Sequence, residues 1–459
     1  MSVPIRTVPS MSSIALDHGN ARLKRHAAEL LRLAIPVMVA RAGIIVMAVV
    51  DTLFVGHYGA VELAYLGLGG TPVGVFFATI VGLMMGTIVM ASQALGAGNP
   101  AECGAVWRRS LPWAALVGFA FLAVCLVAEP LFLLAGQEPD LARGGAGVIL
   151  VLGYGMPAGA IYITTAFYLE GLKRPMPGMV AMLLANVANV GLNWVFVFGK
   201  LGFPEMGAEG AAWATTSLRW ATAIGLVVYV LTMADHERFA SRGTLRGWWR
   251  DGAEQRRLGY AAGLSQGLES SAFGALGLFA GMLGALALAA YTVALNLLAL
   301  PFMAALGLAS ATAVRVGAAH GAGDRRELVT AGWMGLAVTS VILAVAGAFY
   351  GLLPETIAGA FAKEPELIAA ILPLIGFSAW ILVVDGGQVV MASALRGRGD
   401  AWIPTALHFV SYYAVMIPAG AALAFWAGRG VLGLYEGIFI ASVVSVAILS
   451  ARFWWLSRR

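Results

Sequence analysis

Apolar residues run along most of this chain in stretches of roughly twenty to thirty positions, and polar residues collect in short breaks between them. Such a stretch, wound as a helix, crosses the ~30 Å hydrocarbon core of a bilayer, which takes about 20 residues. The windows and breaks predict spans at 31–55, 64–95, 111–134, 148–169, 179–198 and 211–233, and a second set at 260–283, 289–316, 329–352, 367–395, 403–427 and 431–455. The expectation is an all-α integral membrane protein of about twelve transmembrane helices.

The breaks themselves repeat. Gly96-Ala97-Gly98-Asn99 follows span two and Gly321-Ala322-Gly323-Asp324 follows span eight, with Gly82 and Gly307 upstream, all 225 residues apart. Leu169-Glu170-Gly171-Leu172-Lys173 and Leu395-Arg396-Gly397-Arg398-Gly399 follow spans four and ten at an offset of 226. An even number of spans separates the copies, so two pseudo-symmetric six-helix bundles share one orientation, as parallel repeats about an axis along the membrane normal. The chain divides into a tail (1–28), an N-terminal lobe (29–234), a basic linker (235–257) and a C-terminal lobe (258–459).

Charge sets the orientation. The tail, the even-numbered loops and the C-terminus hold twenty-one Lys and Arg, whereas Arg143, Lys200, Lys363 and Arg429 are the four of the odd loops. This asymmetry predicts that both termini are cytoplasmic and that the protein is multi-pass in a bacterial inner (plasma) membrane. The linker arginines, with Trp248 and Trp249, suit a segment lying on the inner leaflet.

Composition removes the rival classes. At 60% hydrophobic, 12% charged and a mean hydropathy of +0.84, the chain cannot build a soluble surface, for which ~25% charged residues are usual. The net charge of +5 is scattered among loops rather than gathered on one face, so no nucleic-acid partner is expected. Cys103 and Cys125 have no metal-ligand or CxxC spacing and read as packing residues. HExxH and Walker A motifs are absent, and the one GxSxG string, Gly263-Leu264-Ser265-Gln266-Gly267, lies inside an apolar helical window rather than on a strand-to-helix turn, so no nucleophile elbow is expected. This disfavours an enzyme, a resident cofactor and direct ATP drive.

An ionised carboxylate at a helix centre costs about 2.5–3.5 kcal/mol on insertion scales, so acids within spans are functional candidates. Asp51, Glu269 and Asp385 are three such acids. Ser265 and Gln266 precede Glu269 by one turn and place oxygen ligands on its face, while Gln388 follows Asp385 in the same way. Glu269 and Asp385 both fall in the second half and are expected to share a cavity there, suited to a proton or Na⁺. Asp51 stands near the end of its span, where a solvated terminal carboxylate is the bland alternative. For each of the three acids a further alternative is a structural bond to Ser or Asn on a neighbouring helix. Asn186, Asn189 and Asn193 in span five and Thr292 and Asn296 in span eight are candidates to line the same or a second cavity, with interhelical hydrogen bonding as the commoner explanation of such residues. Arg41, deep in span one, can pair with a buried acid, line a wet cleft or meet an anionic substrate, and an ion pair is the expectation.

Val50-Asp51-Thr52 with Gly56, Ser92-Gln93-Ala94-Leu95-Gly96-Ala97-Gly98, the run Leu192-Asn193-Trp194-Val195-Phe196-Val197-Phe198-Gly199-Lys200, Val293-Ala294-Leu295-Asn296, Arg315-Val316-Gly317 and Ala394-Leu395-Arg396-Gly397 occur in order from span one onward. In these residues the chain resembles the multidrug and toxic-compound extrusion (MATE) transporters, in their NorM-like bacterial branch. The resemblance implies a cation-coupled exporter that works by alternating access, exchanging inward Na⁺ or H⁺ for small organic compounds, often cationic and amphipathic. It implies cation coupling at Asp51, Glu269 and Asp385. Two departures stand out: Ala290-Tyr291-Thr292 where relatives carry His-Gln, and Arg41 where they carry no charge. A lipid-linked oligosaccharide flippase of the same wider superfamily is the first alternative. It would want a strongly basic cavity, and the buried acids outnumber the single Arg41. A membrane-embedded enzyme is the second alternative. A complete two-lobed cleft in one chain predicts a monomer, with the lipid bilayer and small molecules as its partners.

Overall fold

Hydrocarbon offers no hydrogen-bond partner to backbone N–H and C=O groups, and every regular element among the described residues is accordingly a helix. The computed structural model describes residues 11–245 and 247–458, with side chains from residue 24 onward. Residues 1–10 of the predicted tail, with Arg6, and the loop charges Arg246 and Arg459 lie outside the described residues, as does the side chain of Arg22.

The helices are α1 (Met11–Tyr58), α2 (Ala60–Gly96), α3 (Pro100–Cys125), α4 (Ala128–Leu134), α5 (Pro139–Tyr154), α6 (Met156–Gly171), α7 (Met176–Val197), α8 (Gly207–Thr232) and α9 (Trp248–Asp251). They continue with α10 (Ala253–Met282), α11 (Ala285–Gly321), α12 (Arg325–Leu352), α13 (Pro354–Phe361), α14 (Pro365–Gly397), α15 (Trp402–Phe409), α16 (Ile417–Ala421) and α17 (Gly430–Arg458). π-Helical turns at Val410–Met416 and Ala422–Trp426 join α15 and α16 into one long broken segment.

Among the described residues ten helical segments are long and apolar enough to cross a bilayer, and the pair α5–α6, bent by 41°, makes an eleventh. The predicted span four is thus two helices broken at Gly155, beside Pro157, which lacks a backbone N–H to continue the ladder. The predicted span seven forms the 30-residue α10, but it is not among the eleven, because Ser265, Gln266, Glu269, Ser270 and Ser271, with several glycines, lower its apolarity. Some charges assigned to loops fall within helices. Arg256 and Arg257 belong to α10 rather than to a loop, and Arg396, counted among the loop charges, is a buried residue of α14.

The repeated motifs have a local explanation. Gly98 and Gly323 take φ of 71° and 69°, the left-handed conformation that ends a helix. Asn99 and Asp324 then cap the next helix, accepting from Glu102 N at 3.2 Å and Glu327 N at 2.9 Å. Each copy of the motif therefore ends one helix and starts another within three residues.

Buried apolar side chains form one large core in the N-terminal half, around Ile80, Trp107 and Phe167, and another in the C-terminal half, around Leu276, Ile375 and Tyr412. The halves meet along a seam at the end carrying the basic loops. There a methyl group on Gly86 would lie 1.9 Å from Gln255 O, one on Gly96 1.9 Å from Ala318 O, and one on Gly321 1.9 Å from Gln93 O. Gln93 Nε2 also crosses the seam to Gly397 O at 2.8 Å. Buried Arg315 ties α11 to the start of α1, donating to His26 O at 2.9 Å and His26 Nδ1 at 2.6 Å, and it reaches Glu327 at 2.6 Å. Towards the other end of the same helices Gly67, Gly70 and Gly74 of α2 and Gly267 and Gly274 of α10 face open space. The halves are closed at one end and splayed at the other.

Candidate transport site

Asp51 lies on the face of α1 turned to α7 and α8. It is 7% exposed, so the solvated terminal carboxylate considered as its alternative is not what forms. Asn189 and Asn193, one turn apart on α7, donate their Nδ2 groups to Asp51 Oδ1 at 2.9 and 2.7 Å. Thr215 of α8 donates to Oδ2 at 2.6 Å. Both asparagine Oδ1 atoms are buried without a partner among the described residues. Amide orientation is exchangeable in shape, and turning the two amides would replace their donors with carbonyl oxygens around the carboxylate. That is a donor set for a hard cation. Asn186 of the same helix turns its Nδ2 to Met182 O at 2.9 Å instead.

A second constellation joins α10, α14, α17 and the first π-helical turn. Gln388 Nε2 donates to Asp385 Oδ1 at 2.8 Å, as the i+3 spacing predicts, and also meets Tyr412 Oη at 2.8 Å. Ser442 Oγ donates to the same Asp385 oxygen at 3.2 Å. Glu269 receives Gln266 Nε2 at 3.4 Å. Tyr412 is joined to Asp385 through Gln388 and lies beside Glu269, and both acids are half-buried. Ser265 does not join them. It is buried one turn away, 2.5 Å from His408 Nδ1, and receives Arg396 NH2 at 2.9 Å. Sharing a helix face with Glu269 was outweighed by the stronger charge-assisted bond to a guanidinium.

Between the halves lies a cavity of about 830 Å³, walled mainly by apolar side chains of α1, α2 and α8 and closed by Gln266, Met303, Ser310, Ser393 and Arg396 from the other half. Its charged lining is Asp51 with Arg41, Arg219 and Arg396. Glu269 and Asp385 lie close to one another and do not line this space. Thr292 and Asn296 do not line it either. Their side chains are exposed because the opposite face of α11, with Tyr291, Ala294 and Leu297, is the one that packs. Among the described residues there is no cluster of three or more His, Cys, Asp or Glu able to hold a metal.

Arg41 combines two of its readings: it lines the cavity and lies 3.9 Å from Glu170, with its guanidinium over the Phe167 ring at 5.0 Å. Glu170 also accepts from Ser310 Oγ, across to α11. The balance of acids over a lone Arg41 is therefore wrong for the cavity wall. Arg219 stands inside the predicted span six, where the insertion cost that marked the acids applied equally. Glu170 and Arg396 carried no such mark, since each sits at a helix end indistinguishable from a loop by apolarity. Tyr412, Thr215, Ser310 and Ser442 had no signal beyond polarity.

The MatE family model matches residues 36–195 and 261–421, two segments with the same offset as the repeated motifs. The chain is 42% identical over 439 residues to a probable multidrug resistance protein NorM of Caulobacter vibrioides, covering 94% of this chain and 92% of that one. It is 31% identical over 458 residues to the multidrug resistance protein PmpM of Pseudomonas aeruginosa, covering 98% and 96%. The crystal structure of the eukaryotic MATE transporter AtDTX14 superposes with a TM-score of 0.86 at 21% identity, over 94% of this chain and 96% of that one. At that identity the likeness speaks for the fold.

Proposed function

The chain belongs to the MatE family, and from that premise we propose that it is a secondary active multidrug exporter, admitting Na⁺ or H⁺ while organic, cationic and amphipathic compounds leave. The observation that carries the reading is a drug-sized cavity between the halves with an ionisable carboxylate, Asp51, in its wall. In this reading α10 completes twelve spans in two six-helix bundles, both termini are cytoplasmic in a bacterial inner membrane, and one chain is the working unit. By the charge asymmetry the splayed end faces outward.

Asp51, Glu269 and Asp385 take up the coupling ion from that side. Neutralising them removes their attraction for a bound cation, and losing ~3 kcal/mol lowers affinity about a hundredfold. The two halves then rock about the glycine seam to expose the cavity to the other side. The membrane potential contributes about 2.3 kcal/mol per charge per 100 mV to ion entry. A lipid-linked oligosaccharide flippase would ask for a basic wall throughout. The lining holds Arg41, Arg219 and Arg396, but Arg41 faces Glu170 and Arg396 donates to Ser265, and most of the remaining wall is apolar with Asp51 in it, which argues against that reading.

The test is efflux of a fluorescent cationic dye from proteoliposomes, with Na⁺ and pH gradients imposed separately. Transport that follows one gradient identifies the ion, and Glu269→Gln should abolish coupled efflux while the protein stays folded. Full efflux by that variant, or dye movement indifferent to both gradients, overturns the proposal.

A further inference from the structure

The cavity wall carries three guanidinium groups against one carboxylate, an odd balance for a site that takes cations alone. Two of the three are committed. Arg41 has Glu170 at 3.9 Å. Arg396 donates to Ser265 at 2.9 Å and lies in the field of Glu269. Arg219 is different. Among the described residues its one hydrogen bond is a long one, NH1 to Leu152 O at 3.4 Å, and no carboxylate lies within ion-pair distance. Asp51 is the acid that acts on it, from further away, and the oxygens of Asp51 already receive Asn189, Asn193 and Thr215. The Phe77 ring covers the guanidinium at 5.2 Å.

Resting on the exporter reading, we propose that Arg219 is the specificity-determining residue of the cavity wall, an anion subsite that holds the carboxylate of a compound carrying both charges. A guanidinium stays charged in any protein setting and has five N–H donors in a fork that fits a carboxylate. In an apolar wall those donors have few competitors, so a two-pronged bond there is stronger than in water. Thr215 and Arg219 are one turn apart on α8, with Cβ atoms at the usual ~5–6 Å. The subsite for the anion therefore lies beside the carboxylate that attracts a cation, and a molecule with both charges meets both partners. One guanidinium near one aspartate suits a monoanionic carboxylate better than a phosphate dianion.

The probes are rhodamine 110, which carries a free carboxylate, and its methyl ester rhodamine 123, which does not. Affinities for both are measured by fluorescence polarisation on the full-length protein in detergent, and both dyes are then followed in proteoliposomes under imposed gradients. The wild type should bind the acid at least as tightly as the ester. Arg219→Met should lower the acid-to-ester affinity ratio at least tenfold, and Arg219→Lys should restore part of it. An unchanged ratio in Arg219→Met, or a wild type that prefers the ester tenfold or more, overturns the subsite; the second comparison needs no variant to fold. Gradient-driven export of the ester with no preference for the acid overturns the subsite and leaves the exporter reading standing. Carboxylate-selective binding with no gradient-driven movement of either dye does the reverse.

Discussion

Replacing Gly86 by alanine should push the halves apart at the seam. The added methyl would sit 1.9 Å from the backbone carbonyl of Gln255, and ordinary contact begins near 3.4 Å, so α2 and α10 must separate locally by about 1.5 Å. A backbone atom cannot rotate aside as a side chain can. Overpacking of this kind costs about 1–3 kcal/mol, and the strain exists only while the seam is closed. The equilibrium between closed and parted seams should therefore move by roughly 5- to 150-fold. Gly74→Ala, on the same helix but facing open space, is the control: it gains about 0.5–1 kcal/mol of helix stability in either state and shifts nothing. Spin labels on Ala97→Cys and Ala322→Cys, in a background with Cys103 and Cys125 replaced, report the separation across the seam by pulsed electron resonance. Longer distances in Gly86→Ala with an unchanged Gly74→Ala are expected. Identical distance distributions in the two variants would refute the idea that carbonyl-to-glycine contact sets the closed state.

Three further outcomes follow from the same geometry. Asn193→Leu removes one of the three donors that hold buried Asp51 and should cost about 1.5–3 kcal/mol, read as a lower melting temperature in detergent; an unchanged melting temperature would mean that the carboxylate is not held charged. Glu170→Gln leaves Arg41 buried without its acid and should cost about 3–5 kcal/mol, most of it recovered when Arg41→Met is added; a double variant as unstable as the single one would sever the pair. Outside the membrane, Arg174 donates both guanidinium prongs to Asp235, at 2.9 and 2.6 Å, and holds that carboxyl below the usual aspartate range. The contribution of this partly exposed pair, under about 1 kcal/mol, is present at neutral pH and fades as the pH falls through the lowered folded value. The melting difference between wild type and Asp235→Asn should therefore shrink on acidification, whereas a constant or widening gap would contradict the pairing.

Much of the site could be read in one dimension. Asp51, Glu269 and Asp385 announce themselves because each is an acid in an apolar run, and Gln388 was placed correctly because i+3 spacing puts it beside Asp385 on any helix. The same reading went astray where a neighbouring helix had the deciding vote. Ser265 shares the helix face of Glu269, yet Arg396 and His408 claim it from outside. The packing of α11 leaves Thr292 and Asn296 exposed, outside the lining of the cavity between the halves. Arg219 met the same criterion as the three acids and was not weighed.

Hydrocarbon charges each residue for its own polarity wherever the rest of the chain goes, and a left-handed glycine followed by a capping side chain acts within a few positions. Most of the spans, the helix ends at Gly98-Asn99 and Gly323-Asp324, and the acids out of keeping with their surroundings were therefore determined by the sequence alone, whereas the break of span four at Gly155 was not. Which groups meet across the molecule was decided by tertiary structure. Asp51 finds Asn193 and Thr215, Glu170 finds Arg41 and Ser310, and Gly86 finds the carbonyl of Gln255 through contacts 129 to 169 residues apart along the chain. Such contacts depend on the rotation and crossing of packed helices, which the order of residues along a single helix does not specify.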